Sequence, residues 1–164
     1  MKKWLKLLAP LLAMAAIESA TAAPPLYQLI EPRPAKSAIP TWAPHFAAFD
    51  TVVGYSDLGH VFMHDSQTQR YAVLHPYQKG AKNYGEFKTV ADFERAILKE
   101  SSFQYLVLLK PHVEAIHRLK GPLAPGQVYI AKPYPFLGGS EKPDTYSKGD
   151  VWVFLELVAQ MHGL

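Results

Sequence analysis

The chain has no cysteine among its 164 residues. That excludes disulfides, thiolate metal sites, a cysteine nucleophile and a lipid-modified N-terminal cysteine. Stability must therefore come from packing. Charged residues are also few, at 19%. No apolar run reaches the roughly 20 residues that a membrane-spanning helix needs. Three catalytic signatures are missing as well: no Gly-Lys-Ser/Thr closes a phosphate loop, no Gly-x-Ser-x-Gly forms a nucleophile turn, and no His-Glu-x-x-His occurs.

Met1-Lys2-Lys3-Trp4-Leu5-Lys6 is basic, Leu7 to Ile17 is apolar, and Ser19-Ala20-Thr21-Ala22 is small. This is the order of a secretory signal peptide, so residues 1–22 are expected to be a leader cleaved between Ala22 and Ala23. The mature chain is then periplasmic, with no stable membrane insertion. Cleavage removes Lys2, Lys3, Lys6 and Glu18, which leaves 14 basic and 13 acidic residues and a net charge of +1 in place of +3. A near-neutral chain carries no nucleic-acid footprint.

Residues 23–45 hold Pro24, Pro25, Pro32, Pro34, Pro40 and Pro44. Each proline fixes φ and removes a donor, so a flexible or extended arm is expected there. The globular domain is expected over residues 46–164. Thr51–Tyr55, Val61–His64 and Tyr71–Leu74 are short apolar runs separated by turn residues, the pattern of an antiparallel meander. Helical signals follow. Thr89-Val90-Ala91-Asp92 reads as a cap, and Phe103–Leu109 reads as a short buried helix. Pro111 opens a helix carrying Val113, Ile116 and Leu119 inward and ending at Gly121-Pro122. Asp150 caps a last apolar helix, Val151–Met161. The expected class is α+β, a single domain with a meander followed by helices on one face.

Candidate sites are few. Leu137-Gly138-Gly139-Ser140 fits a structural corner in which glycine permits a sharp turn or close backbone approach. His60 and His64 fall on a strand, about 13 Å apart, and His112 and His117 diverge on a helix, so no metal or other cofactor is expected. Asp50 and Glu156 are lone carboxylates; a pocket uniting them with His60 would point to a small exported hydrolase. Residues 75–88 interleave Tyr77, Tyr84 and Phe87 with Lys79, Lys82 and Lys88 in an expected loop. Such a mixture anchors protein interfaces, or its rings fold back on the core. Together with Tyr134 and Tyr146, taken as exposed, these residues are the expected partner contacts.

Longer stretches resemble a known family. They are Val53-Gly54-Tyr55-Ser56-Asp57-Leu58-Gly59-His60-Val61-Phe62-Met63, Leu74-His75-Pro76, the run from Leu119 through Gly121-Pro122 and Pro125-Gly126 to Tyr129, Phe136-Leu137-Gly138-Gly139-Ser140, and Leu157-Val158-Ala159-Gln160-Met161. Over residues 46–162 they resemble the C-terminal domain of type VI secretion immunity proteins, which neutralise DNase effectors. The family's best-known members carry a GAD-like domain ahead of it and act in the cytoplasm, whereas here a leader and a proline-rich segment precede it. The resemblance implies a non-enzymatic protein whose partner is a cognate toxin. The leader implies that this toxin acts in the periplasm. An accessory envelope protein without a toxin partner is the remaining alternative.

Overall fold

Alternation of side chains along a strand sends successive residues to opposite faces, and in this chain both faces are covered. The structure, a computed structural model, describes residues 25–164. Its main sheet comprises β1 (Tyr27–Pro34), β2 (Thr51–Ser56), β3 (Val61–Asp65), β4 (Arg70–His75) and β5 (Gly80–Glu86), in that spatial order and antiparallel throughout. Val52, Tyr55, Val61, Met63, Ala72 and Leu74 enter one core; Val53, Phe62, Tyr71 and Val73 enter the other. Burial on both sides explains why Val61-Phe62-Met63 shows no polar alternation.

The first core is closed by α1 (Ala35–Ala38), a 3-10 turn (Ala43–Phe46) and α5 (Val151–Met161). The second is closed by α2 (Val90–Phe93) with its π-helical continuation (Glu94–Leu98), α3 (Ser101–Leu106) and α4 (Lys110–Lys120). A ribbon of β6 (Gln127–Ala131) and β7 (Tyr146–Asp150) joins the end of the sheet, where the Tyr129 N–H donates to the Asp57 carbonyl at 2.7 Å. Its Val128 and Ile130 extend the first core, and Tyr129 and Ala131 the second. The protein is thus a single α+β domain. Its helices, expected on one face of the sheet, are shared between two, because the central strands are apolar on both.

Local signals place the helix ends as expected. Thr89 Oγ1 accepts from the Asp92 N–H at 3.1 Å. Asp150 Oδ1 accepts from the N–H groups of Trp152 and Val153, both at 2.9 Å. Pro111 lies in the first turn of α4, and Gly121 ends it. At the double-glycine corner Gly138 has φ +81°, and a Cβ on Gly139 would overlap the Pro133 carbonyl. Both devices expected of that corner operate there, one on each glycine.

Several expectations are corrected. The described part of the proline-rich segment is no arm. It forms the edge strand β1 and then sends Ile39 and Trp42, both wholly buried, into the first core. Prolines are tolerated on an edge, where one side of the strand donates to nothing. The domain accordingly begins well before residue 46, and the 1–22 leader lies outside the described residues. Residues 75–88 are a 3-10 turn (Pro76–Gln78) and the strand β5, with a bulge opposite Tyr71/Ala72. Leu119, expected inward, is 62% exposed, and of the apolar 103–109 run only Phe103 and Leu108 are buried. No helix among the described residues is long and apolar enough to cross a membrane.

Candidate functional site

Residues equidistant from the β3–β4 turn face each other, and just beyond the Val61–Leu74 pair this brings His60 beside His75. Their rings lie 4.8 Å apart, edge to face. The buried Ser56 hydroxyl accepts the His60 backbone N–H at 3.0 Å and lies 2.9 Å from Nδ1. The hydroxyl can accept a second hydrogen or donate its own, so which of Ser56 Oγ and His60 Nδ1 is the donor follows the imidazole tautomer. Burial, and to a lesser degree His75, pushes the His60 imidazole down to about 3. Burial, then Lys82, also lowers His75. Both rings are neutral at pH 7.

These histidines wall a cavity of about 140 Å³ together with Tyr77, Glu141, Tyr146 and Phe154. Tyr77 comes from the 3-10 turn after β4 and packs on Tyr134, Phe136 and Phe154 at centroid distances of 6.0, 5.4 and 5.6 Å. Tyr146 opens β7, and its hydroxyl pairs with His112 Nε2 at 3.2 Å. Burial, then Glu141, pushes the Tyr146 phenol up to about 12. Burial is also the main cause that raises Tyr77, ahead of Tyr146, Tyr134 and Glu141. Glu141 is the one formally charged side chain among the lining residues.

A second recess, of about 200 Å³, lies between the outer strand β5 and the helices behind it, lined by Lys82, Tyr84, Ile97, Phe103 and Leu106. The Lys82 ammonium sits 5.0 Å from the centre of the Tyr84 ring, and Tyr84 meets Phe103 edge-on at 5.4 Å. Between the two recesses stands an apolar ridge. Tyr105 is 64% exposed, Leu106 69% and Leu109 40%. Leu106 lines the groove and Leu109 the His60–His75 cavity, so the 106–109 segment links the two recesses.

The expected contact residues divide between these recesses. Tyr77, Tyr134 and Tyr146 gather around the cavity, while Lys82 and Tyr84 gather at the groove. Tyr146, expected to be exposed, is buried, and Tyr134 is half-buried within the aromatic packing. Phe87 turns inward onto Tyr71 and Phe93 at 5.9 and 5.6 Å. Lys79 donates to the His162 carbonyl at 3.0 Å. Of the shared-motif residues, Gly54 lies against the Gln28 backbone, Gly59 against Phe154 and Pro76 in the cavity wall, whereas Leu137 and Gln160 are exposed.

The structure does not unite Asp50, His60 and Glu156. Asp50 binds Thr51 and Ser66 in front of β2, and Glu156 accepts from Thr41 Oγ1 at 2.5 Å. His64 stacks on Tyr71, away from His60. Among the described residues no group of three or more His, Asp or Glu is placed to hold a metal ion. Sequence reasoning missed His60 with His75, Glu141 and the 105–109 ridge. Counting outward from the Asp65–Arg70 turn would have found the histidine pair; nothing local marks Glu141.

No family model matches the chain, and no curated protein does. Among solved structures it is similar to the crystal structure of Atu4351 from Agrobacterium tumefaciens, with a TM-score of 0.54 and 15% identity. The match covers 82% of this chain and 66% of that one, so this chain spans just under two thirds of that protein's length. At this identity the likeness concerns the fold alone.

Proposed function

We propose that this protein is a non-enzymatic binding protein of the bacterial envelope, an immunity factor that neutralises a periplasm-acting toxin by direct contact. The observation that carries this reading is the exposed ridge of Tyr105, Leu106 and Leu109 between two aromatic recesses. Large exposed apolar side chains beside aromatic recesses are what binding surfaces present. A stable complex buries roughly 1,600 Å² in total and depends on a few anchors. The family resemblance and the signal-like leader supply the toxin and the compartment.

The test is co-expression with the protein encoded by the adjacent gene, directed to the periplasm, followed by titration of the purified pair. Protection that saturates near one inhibitor per toxin supports contact. Leu106→Asp should weaken binding by at least about tenfold, the loss of an anchor worth over ~1.4 kcal/mol, without changing the melting temperature. An exported hydrolase is the second reading, favoured by the Ser56–His60 hydrogen bond. Protection at far below one inhibitor per toxin, abolished by Ser56→Ala, would decide for it.

A further inference from the structure

We propose that the cavity walled by His60, His75, Tyr77, Tyr146 and Glu141 is a cage for one organic cation, filled by a lysine or arginine side chain of the protein partner. The inference deepens the binding reading above and depends on it for the source of the cation.

Three observations select a cation. The walls are rings: Tyr77, Tyr146, Phe154 and the two imidazoles. Aromatic rings attract cations through their quadrupoles, and cages of them recognise ammonium groups. Both imidazoles are held uncharged, so no positive charge inside the cavity opposes an incoming one. The single charged lining group is the Glu141 carboxylate, which is exposed at the rim and forms no salt bridge among the described residues. An anion would meet that carboxylate, and a purely apolar group would desolvate it. Two lysines of the 75–88 stretch are engaged elsewhere, Lys82 over Tyr84 and Lys79 on the His162 carbonyl.

Size and position select the source. A cavity of about 140 Å³ has room for several waters, and so for a small cation such as a methylguanidinium group. Leu109 belongs to both the cavity rim and the exposed ridge, so a chain seated on the ridge can reach the cage. Arginine is enriched among interface anchors.

The experiment is an NMR titration of the full mature protein with methylguanidinium and methylammonium, with methylurea as the neutral counterpart of the first. The ring signals of His60, His75 and Tyr77 should shift and saturate with the cations and remain unmoved by methylurea. Glu141→Gln, at an exposed position, should keep its melting temperature and bind the cations about tenfold more weakly. Equal response to methylurea, indifference to Glu141→Gln, or no saturable shift overturns the cage. Saturating methylguanidinium should then lower the affinity for the adjacent gene product and leave the one-to-one stoichiometry intact. An affinity that the probe does not change overturns the assignment to a partner side chain, while the contact reading still stands or falls by its own titration.

Discussion

Replacing Asp57 by Asn should remove a pH dependence built into the end of the sheet. Asp57 is 3% exposed. Its position is fixed by two backbone hydrogen bonds, from its N–H to the Leu26 carbonyl at 2.9 Å and from the Tyr129 N–H to its carbonyl at 2.7 Å. Oδ1 has no hydrogen-bond partner among the described residues, and burial pushes the carboxyl from 3.8 to about 7. At about 1.4 kcal/mol per pH unit, ionising it in the folded state costs about 4 kcal/mol. The folded-state value is raised, so the contribution of the protonated carboxyl is whole below pH 3.8. It is lost as pH rises, and the loss is complete above 7. D57N has nearly the same shape and no charge. Urea unfolding of both proteins from pH 4 to pH 8.5 should therefore show a stability gap in favour of D57N that is small at pH 4, widens with pH, and levels off above 7 near 4 kcal/mol. His60, whose lowered value means that stability falls as pH drops below 6.5, acts on both proteins alike and cancels in the difference. A gap that stays constant across the range would refute the reasoning.

Other outcomes follow from the same structure. Trp42→Ala should cost about 3–5 kcal/mol in a denaturant melt, since the ring is wholly buried and its Nε1 donates to the Leu155 carbonyl at 2.9 Å; a loss under 1 kcal/mol would mean that the segment is peripheral after all. Gly139→Val should destabilise by more than the ~1 kcal/mol usual for a point change, because its side chain would overlap the Pro133 carbonyl. Unchanged melting with lost binding would instead make the corner part of the interface. If the leader is cleaved as proposed, Edman sequencing of exported protein should read Ala-Pro-Pro-Leu-Tyr, and Met1 on a membrane-bound species would overturn it.

What could be read in advance was whatever depends on near neighbours in the chain. The caps at Thr89 and Asp150, the proline that opens α4 and the glycine that ends it are decided within a turn of helix, and all were legible. So were β2, β3 and β4, whose apolar residues sit between compact turns. β1 and β5 were not. Gly80, Lys82, Asn83 and Gly85 are poor strand formers, and Pro32 and Pro34 argue against a strand, yet each segment needs to pair on one side only. Pairing with a neighbour overrides the weak local preference. The site shows the same division. Tyr77, Lys82 and Tyr84 could be picked from one short stretch. Glu141 and Tyr146 reach the cavity through the β6–β7 ribbon, and Tyr105 and Leu106 read as core because apolar residues ordinarily are.

The hydrogen bond from Trp42 to the Leu155 carbonyl spans 113 residues, and it sets the order in which this protein can become compact. Closing so long a loop costs on the order of 4 kcal/mol in chain entropy before any contact repays it. During synthesis, all five strands of the main sheet emerge well before α5 exists, and until then Ala35, Ile39 and Trp42 have the sheet face but not Phe154, Leu155 and Val158 to pack against. A nascent chain in that state has one exposed face of sheet and no finished first core, so it can still be drawn out and threaded. For a protein proposed to cross a membrane in extended form, a core-closing helix made this long after Trp42 works as a delay: the chain becomes difficult to unravel only after α5 has been made.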